Sequence, residues 1–469
     1  MTSLATTRAQ FSEDDLVPGL IFIVLAALAC MTPAQNDTFW HLRSGQQMWQ
    51  TGSLLLTEPF SYTAYGAELH NHWWLSQLAF YAVHSLGGPF LLTLVAGACA
   101  VAAIAGSWRL IRGSWELRVA LLAWLLVATA PEWAVRPQVI SLALLVLVAH
   151  LIARGRLVWV PLVCVVWANA HALVIFGVVM GAAVLLEALV WSRAEVRRAA
   201  TIAAACALAP MLSPLGWSYW SQVLTTVSVS QELQIQEYQM PLRPSDLPFW
   251  AALGTLIVVA IVQRHRLAAL ERADRILLLG ALVLAGAAAT AARNVAFFAV
   301  IAGPALSRAW PPHATAARRR FRPLGAVARG MCLTAAVVGA VVVFTRWRDG
   351  GVRVGWQPMS PAAVGAVRRC PDPIFNQMVD GGFLMWALPG RRVFVDSRME
   401  AYPLPVLRAS READLHGEYE TVFRQYGINC AIVGAASPLF ERLTEDSSMK
   451  LTYSDVARSV FIRTGPAGP

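Results

Sequence analysis

The sequence predicts a mainly α, polytopic membrane protein of about eleven transmembrane helices, with a small α/β domain at its C-terminal end. Three observations predict it. Hydrophobic residues make up 57% of the 469 residues and charged residues only 14%, where a soluble domain carries roughly 25% charged residues. Mean hydropathy is +0.52, and apolar stretches near the length of a bilayer span, about 20 residues, recur along the chain. The chain also holds 18 Trp, a residue that collects at membrane–water interfaces. A disordered chain, a secreted disulfide scaffold and a cytosolic enzyme are excluded.

The apolar stretches fall near 16–34, 89–111, 117–134, 137–153, 158–170, 172–191, 198–213, 247–263, 275–291, 293–310 and 324–346. Helix is the state expected for each, because backbone groups in lipid must be satisfied within the segment. The run Ala27-Leu28-Ala29-Cys30 has a faint likeness to a lipoprotein cleavage site but lacks Leu at the right place, so the first stretch reads as a retained anchor.

The net charge of +10 comes almost wholly from Arg, Lys450 being the only lysine. Its distribution signals topology, not nucleic acid. Alternate gaps hold Arg109, Arg112 and Arg118; Arg154 and Arg156; Arg193, Arg197 and Arg198; Arg264, Arg266, Arg272 and Arg275; and Arg308, Arg318, Arg319, Arg320 and Arg322. The opposite gaps hold only Arg43, Arg136, Arg243 and Arg293. The positive-inside rule then places the N-terminus in the cytoplasm. The loops 35–88 and 214–246 and the tail 347–469 fall on the outer side, and residues 1–346 form the transmembrane domain.

The tail has the composition of a small soluble domain. Apolar runs at Pro373–Phe375, Arg392–Val395, Asn429–Val433 and Ser459–Ile462 alternate with amphipathic stretches at 361–369, 404–413 and 416–426, a strand-and-helix pattern. Of seven Cys, five lie in apolar runs; Cys370 and Cys430 share the tail and could pair there, though no spacing rule supports a bridge. No internal repeat or coiled-coil heptad is present.

Polar residues concentrate in the outer segments. In Asn36-Asp37-Thr38-Phe39-Trp40-His41, helical spacing puts Asp37 and His41 on one face. A carboxylate among aromatics at a membrane surface suits a general base; an N-cap of a helix starting at Thr38 is the plainer alternative. Asp37 and His41 with one of Glu58, His70 or His72 would make an oxygen/nitrogen set acceptable to a divalent cation, though at no recognised spacing.

Arg136 and Arg293 break the charge bias at the outer ends of hairpins. Such arginines either snorkel to headgroups or grip an anionic ligand through paired hydrogen bonds; two in separate hairpins favour the ligand. Asn169 and His171, in Trp167-Ala168-Asn169-Ala170-His171, fit an interhelical clasp or a cavity lining. Glu237, in Gln234-Ile235-Gln236-Glu237-Tyr238, fits a carbohydrate surface or an interfacial helix. Asp396 and Arg398 follow an expected strand and fit either a salt bridge within the tail or a contribution to acceptor choice.

Collected in order, these residues resemble bacterial GT-C-type integral membrane glycosyltransferases. The likeness rests on Asp37-Thr-Phe-Trp-His41-Leu-Arg-Ser-Gly45, Glu58-Pro-Phe-Ser-Tyr62-Thr and His72-Trp-Trp-Leu-Ser76 in the first loop. It continues through Arg136-Pro-Gln138, Trp167-Ala-Asn169-Ala-His171, Ser213-Pro-Leu-Gly216 and Arg293-Asn294 to Asn376, Gly381-Gly382 and Val395-Asp396-Ser-Arg398-Met-Glu400-Ala-Tyr402. The chain departs from the pattern at Glu58, where Asp is expected. The resemblance implies a GT-C-like fold in a bacterial inner membrane. It also implies a polyprenyl-phosphate-linked sugar as donor, an acceptor that is a glycan, lipid or protein, and Asp37 as base. In that frame His41 orients Asp37, Arg136 and Arg293 meet the lipid phosphate, and Asn169, His171, Glu58, Glu237, Asp396 and Arg398 surround the substrates. The alternatives are a lipid or polysaccharide transporter, disfavoured by the absence of a repeat, and a non-catalytic scaffold for envelope assembly.

Overall fold

The computed structural model describes residues 13–309 and 326–464; Arg318, Arg319, Arg320 and Arg322 lie outside them. Each of the eleven apolar stretches lies on a helix: Glu13–Ala29, Trp74–Leu110, Trp115–Thr129, Gln138–Ala153, Val160–Ala170, Ile175–Val190, Val196–Leu208, Leu247–Val262, Arg272–Thr290, Val295–Ala309 and Ala326–Trp347. Fewer of them can cross a membrane unaided. Among the described residues, five segments are long and apolar enough, namely Trp74–Leu110, Ala172–Val190, Pro244–Val262, Arg272–Thr290 and Arg329–Trp347. The pair Arg193–Leu212 and Gly216–Glu232, bent by 113°, makes a sixth if it is one broken span.

The physical reason for the smaller number is that several of the apolar helices are short, and the chain interrupts others. Val160–Ala170 has 11 residues, which at about 1.5 Å per residue reach only half of a hydrocarbon core roughly 30 Å thick. It ends at His171, whose backbone is extended (φ −167, ψ 145). Trp74–Leu110 is also two pieces: Gly88 adopts φ +63 just before Pro89, a left-handed conformation that glycine takes without steric cost. The piece before the break belongs to the first loop.

Ionic residues staple the bundle at one end. Glu187, fully buried, takes Arg272 at 2.9 Å and Arg275 at 2.7 Å. Asp274 takes Arg308 at 2.6 Å and Arg112 at 3.2 Å. Arg293 and His171 lie at the opposite ends of the same helices, so the bundle carries its arginine-rich staples at one end and its cavity at the other.

The tail is an α/β unit, as expected. Its sheet has the order β1 (Ile374–Asn376), β2 (Cys430–Gly434), β4 (Arg458–Arg463), β3 (Met449–Ser454); β1 and β2 are parallel and the other pairs antiparallel. Helices Pro361–Arg368, Leu404–His416 and Glu420–Gln425 fall on the three amphipathic stretches. The run 392–395 is not a sheet strand. Val393 instead exchanges backbone hydrogen bonds with the first loop, donating to Phe60 O (2.9 Å) and accepting from Tyr62 N–H (3.2 Å). β3 lies outside the expected apolar runs: Met449, Leu451 and Tyr453 alternate with polar residues, but this edge strand is mostly exposed and has no continuous apolar run. Cys370 and Cys430 are disulfide-bonded, which settles the pairing left open by the sequence; the bridge spans 60 residues, a separation that matches no motif.

This unit is locked to the first loop. Helix Met378–Ala387 packs on helix Asn36–Thr51 with Phe383 edge-on to Phe39 at 4.9 Å. Gly382 makes the approach possible, since a Cβ there would stand 2.5 Å from the Asn36 carbonyl oxygen. Tyr62 donates to Ile374 O (2.8 Å), and Trp356 donates its indole N–H to Thr93 on the bundle (2.9 Å).

Candidate active site

Helix Asn36–Thr51 starts where the chain leaves the first apolar helix. Gln35 is its N-cap, its backbone N–H donating to Thr38 Oγ1 at 2.9 Å. Asp37 therefore sits in the first turn and is not the cap; the partial positive charge of a helix N-terminus favours a carboxylate there. Thr38 donates its hydroxyl to Val135 O (2.7 Å), and Val135 N–H donates to Pro33 O (2.9 Å). These bonds hold the 133–138 turn against the helix start and set Arg136 on Asp37, Nη2 to Oδ2 at 2.8 Å.

The other Asp37 oxygen accepts from the Ser397 hydroxyl (2.5 Å) and the Trp40 indole N–H (3.1 Å). Ser397 in turn receives Asn36 Nδ2 at 2.9 Å. Burial works to raise the Asp37 carboxyl, but the Arg136 guanidinium and then the Ser397 hydroxyl hold it below the ordinary carboxylate value. His41 supplies none of these hydrogen bonds. It is buried against Trp40 (ring centroids 3.6 Å apart), its Nδ1 has no partner, and burial keeps it neutral, well below the usual imidazole value.

Arg136 and Arg293 come together across the cavity. Glu237 bridges them, 3.0 Å from Arg293 Nη1 and 3.7 Å from Arg136 Nη1. Gln35 accepts from Arg136 at 3.1 Å. The Gln138 carboxamide, with its oxygen turned to the guanidiniums, accepts from Arg136 at 2.7 and 3.1 Å and from Arg293 at 3.3 Å. Arg293 lies 4.5 Å from the Tyr238 ring centroid, and its Nε has no partner. A backbone bond from Ala292 N–H to Gln239 O (2.9 Å) holds the Arg293 turn to the second loop.

Asp37, His41, Arg136, His171, Glu237, Arg293 and Arg398 line one cavity, together with Trp40, Trp73, Gln138, Ser230, Tyr238, Ser397 and Glu400. His171 caps the turn after helix Val160–Ala170 by accepting Leu173 N–H on Nδ1 (3.3 Å), with Ser141 Oγ 3.0 Å away. An accepting Nδ1 on a neutral ring leaves Nε2 as an N–H donor. Burial holds His171 neutral, well below its usual value.

Three expected residues stand outside this lining. Asn169 is the interhelical clasp, accepting Trp74 Nε1–H at 2.9 Å and donating to Val165 O at 2.9 Å. Glu58 accepts the backbone N–H groups of Phe60 (2.7 Å) and Ser61 (2.8 Å) and pairs with Arg398 at 2.6 Å. Asp396 takes Arg398 through Nε (2.8 Å) and Nη2 (2.6 Å). Arg398 is thus the buried bolt between first loop and tail unit, and the salt-bridge alternative for Asp396 and Arg398 is the one the geometry has.

The divalent-cation set does not fit. Asp37 and Glu58 each point to an arginine, His70 stands 3.4 Å from Glu68, and among the described residues no three His, Cys, Asp or Glu side chains gather as a metal group. Ser397, Tyr238 and Glu400 were not singled out as site residues. Ser397 and Glu400 lie within the resembling segment 395–402, but only the fold brings that segment to Asp37.

A further feature lies beside the cavity. An apolar groove of about 660 Å³ runs between helices Glu13–Ala29 and Trp115–Thr129, walled by Leu20, Val24, Leu28 and Val127, and ends at Pro33 and Trp133. Those end residues adjoin the segments that carry Asp37 and Arg136.

No family model matches the chain, and no curated protein matches it in sequence. Solved structures do. The archaeal oligosaccharyltransferase AglB from Archaeoglobus fulgidus, in complex with an inhibitory peptide and a dolichol-phosphate, has a TM-score of 0.54 at 11% identity over 89% of this chain and 69% of that one. The apo form of the A. fulgidus oligosaccharyltransferase has 0.50 at 10% identity over 91% and 70%. ArnT from Cupriavidus metallidurans bound to undecaprenyl phosphate has 0.48 at 14% identity over 97% and 98%. The likeness to AglB shows a GT-C-like fold, the one the resemblance in sequence implies.

Proposed function

We propose that this chain is a membrane glycosyltransferase that moves a sugar from a polyprenyl-phosphate donor to an acceptor hydroxyl. The observation that carries the reading is the convergence of Asp37, Arg136 and Arg293, from three separate segments, on one cavity of a GT-C-like fold. Fold alone does not establish chemistry; the residues gathered at the site are what support the reading. The alternation of arginine-rich and arginine-poor gaps supports about eleven crossings in a bacterial inner membrane, with the N-terminus cytoplasmic and the cavity and tail unit outside.

In this reading the polyprenyl chain lies in the apolar groove and its phosphate reaches the two guanidiniums, taking the place of Glu237. AglB, the fold neighbour, holds a dolichol-phosphate, a lipid of the same chemical class. Asp37 takes the proton of the acceptor hydroxyl as general base while the hydroxyl oxygen attacks the anomeric carbon. The bond from that carbon to the phosphate oxygen breaks, and its electron pair stays on the phosphate. Arg136 and Arg293 stabilise that developing charge, at a place where preorganised donors are worth most. His171 adds a neutral N–H donor. Glu58, Asp396 and Arg398 hold the tail unit over the cavity, where it contributes to acceptor choice.

The test is turnover by the purified, reconstituted chain supplied with polyprenyl-phosphate-linked hexoses and pentoses. Release or transfer of the sugar is expected. Absence of turnover across the panel, with donor binding intact, contradicts the reading.

A further inference from the structure

Glu400 is a cavity residue that nothing above employs. It sits on the turn Met399–Ala401, immediately after Arg398, and faces the same cavity as Asp37. The two carboxylates are in opposite circumstances. Asp37 is committed to Arg136, Ser397 and Trp40. Glu400 Oε1 is sealed from solvent and has no hydrogen-bond partner, the one bond to the carboxyl coming from its own backbone N–H. A buried polar atom left unpaired is rare in native proteins and calls for an explanation.

The groups that face Glu400 are known. Arg398 and Asp396 come from its own segment, Asp37 and His41 from helix Asn36–Thr51. Arg136 and His171 face it from turns between bundle helices, and Glu237, Tyr238 and Arg293 from the second loop and the turn beside it. Helix Tyr219–Glu232, which also packs on the Glu400 turn, presents Thr226 and Ser230, neither of which titrates. The nearest cations are engaged: Arg398 with Asp396 and Glu58, Arg136 with Asp37, Arg293 with Glu237.

From this placement we propose that Glu400 is the second proton-handling carboxylate of the site and takes up the proton that the acceptor hydroxyl releases. The proposal rests on the glycosyl-transfer reading and deepens it. The acceptor O–H bond breaks as its oxygen bonds to the anomeric carbon; the proton passes by way of Asp37 to Glu400 Oε1; the leaving electron pair remains on the donor phosphate. Asp37, acidified by Arg136, draws the proton off but holds it poorly. Glu400 holds it well, because burial pushes its carboxyl up to about 8. Two carboxylates driven apart by their surroundings is the arrangement that separates acid and base roles. The acceptor needs Glu400 ionised, so the rate rises with pH through that value.

Two readouts on the full-length reconstituted chain test this, with E400Q and E400D beside the wild type. The first is the pH profile of kcat/KM with a polyprenyl-phosphate-linked hexose. The wild type is expected to climb through about pH 8, E400D to keep a displaced limb, and E400Q to lose the limb and about 100-fold or more in rate. The second is an infrared difference titration, which needs no turnover. A carboxylic C=O band titrating near pH 8 is expected in the wild type and absent in E400Q; that subtraction separates it from Asp414, which burial raises to about 7. An unchanged profile, or an infrared titration identical in wild type and E400Q, overturns the proposal. No turnover of any donor by the wild type counts against the transfer reading itself; turnover with an unchanged limb counts against Glu400 alone.

Discussion

Asp37 and Arg136, ninety-nine positions apart, meet at 2.8 Å because Thr38 and Pro33 bind the backbone of Val135 from both sides of the helix start. The pair is half-buried, and its charge is sustained by the arginine. The sign of its pH dependence follows. A carboxylate whose folded value is lowered contributes stability that is present above the unfolded value, roughly pH 4, and is lost as pH falls through the folded value. Any acid limb of activity assigned to Asp37 is therefore expected below pH 4, and a limb nearer neutrality that disappears in Asp37→Asn contradicts this placement.

The two cavity arginines act as forks, which lysine cannot imitate. Arg136→Lys and Arg293→Lys are each expected to lower kcat/KM by about 100- to 1000-fold, the range for losing one preorganised donor to a developing charge. Steady-state kinetics with a fixed donor check this. Near-wild-type rates in both variants contradict contact with the phosphate.

The groove prediction is separable by substrate. Val127 is 60% exposed on the groove wall, so Val127→Trp fills space without disturbing the packed core. KM for a long-chain polyprenyl donor is expected to rise several-fold while that for a donor of one or two prenyl units stays level. Equal effects on both donors place the lipid elsewhere.

The Arg398 bolt predicts a large stability change. Breaking a buried, hydrogen-bonded ion pair by removing one partner costs about 3–5 kcal/mol, so Arg398→Met is expected to lower the thermal midpoint of the detergent-solubilised protein by several degrees. Glu58→Gln, which leaves Asp396 to compensate Arg398, is expected to cost less. The reverse order contradicts the assignment. The Cys370–Cys430 bridge closes a loop of 60 residues, for which the chain-entropy account gives about 4 kcal/mol; Cys370→Ser should show a loss of up to that size.

His72 gives a second pH signature. It is buried beside Trp73 with Nδ1 unpartnered, and burial pushes its value down to about 3. The unfolded chain binds that proton near pH 6.5, so stability falls as pH drops from there toward 3, by about 1.4 kcal/mol per unit at most. His72→Phe should flatten this slope in acid-melting curves. An unchanged slope means another group causes it.

Helix positions were legible in the sequence because apolar runs report burial in lipid or core directly. The breaks at His171 and Gly88 were legible as well, since they fall between the stretches 158–170 and 172–191 and just before 89–111; how many stretches cross alone was less so, because several helices are shorter than about 20 residues. Strand β3 left an apolar/polar alternation over Met449–Ser454 but, as a mostly exposed edge strand, none of the continuous apolar run that marked the buried strands. At the site, Asp37, Arg136 and Arg293 stood out as polar groups at helix ends. Asp37 as cap and His41 as its support did not hold their expected geometry, because Gln35 and Ser397 do those tasks. Glu58 and Arg398 could not be matched in advance, since they lie 340 positions apart and only the docking of tail on loop joins them.

In the proposed reaction Asp37 works with Arg136 and Arg293 on a polyprenyl-phosphate sugar. The most direct measurement is transfer of a labelled sugar by the reconstituted wild type beside Asp37→Asn, with equal folding verified by thermal melting and equal lipid binding. Transfer by the wild type and a loss of about 100-fold or more in the variant are expected. Equal rates in the two proteins would contradict the proposed reaction.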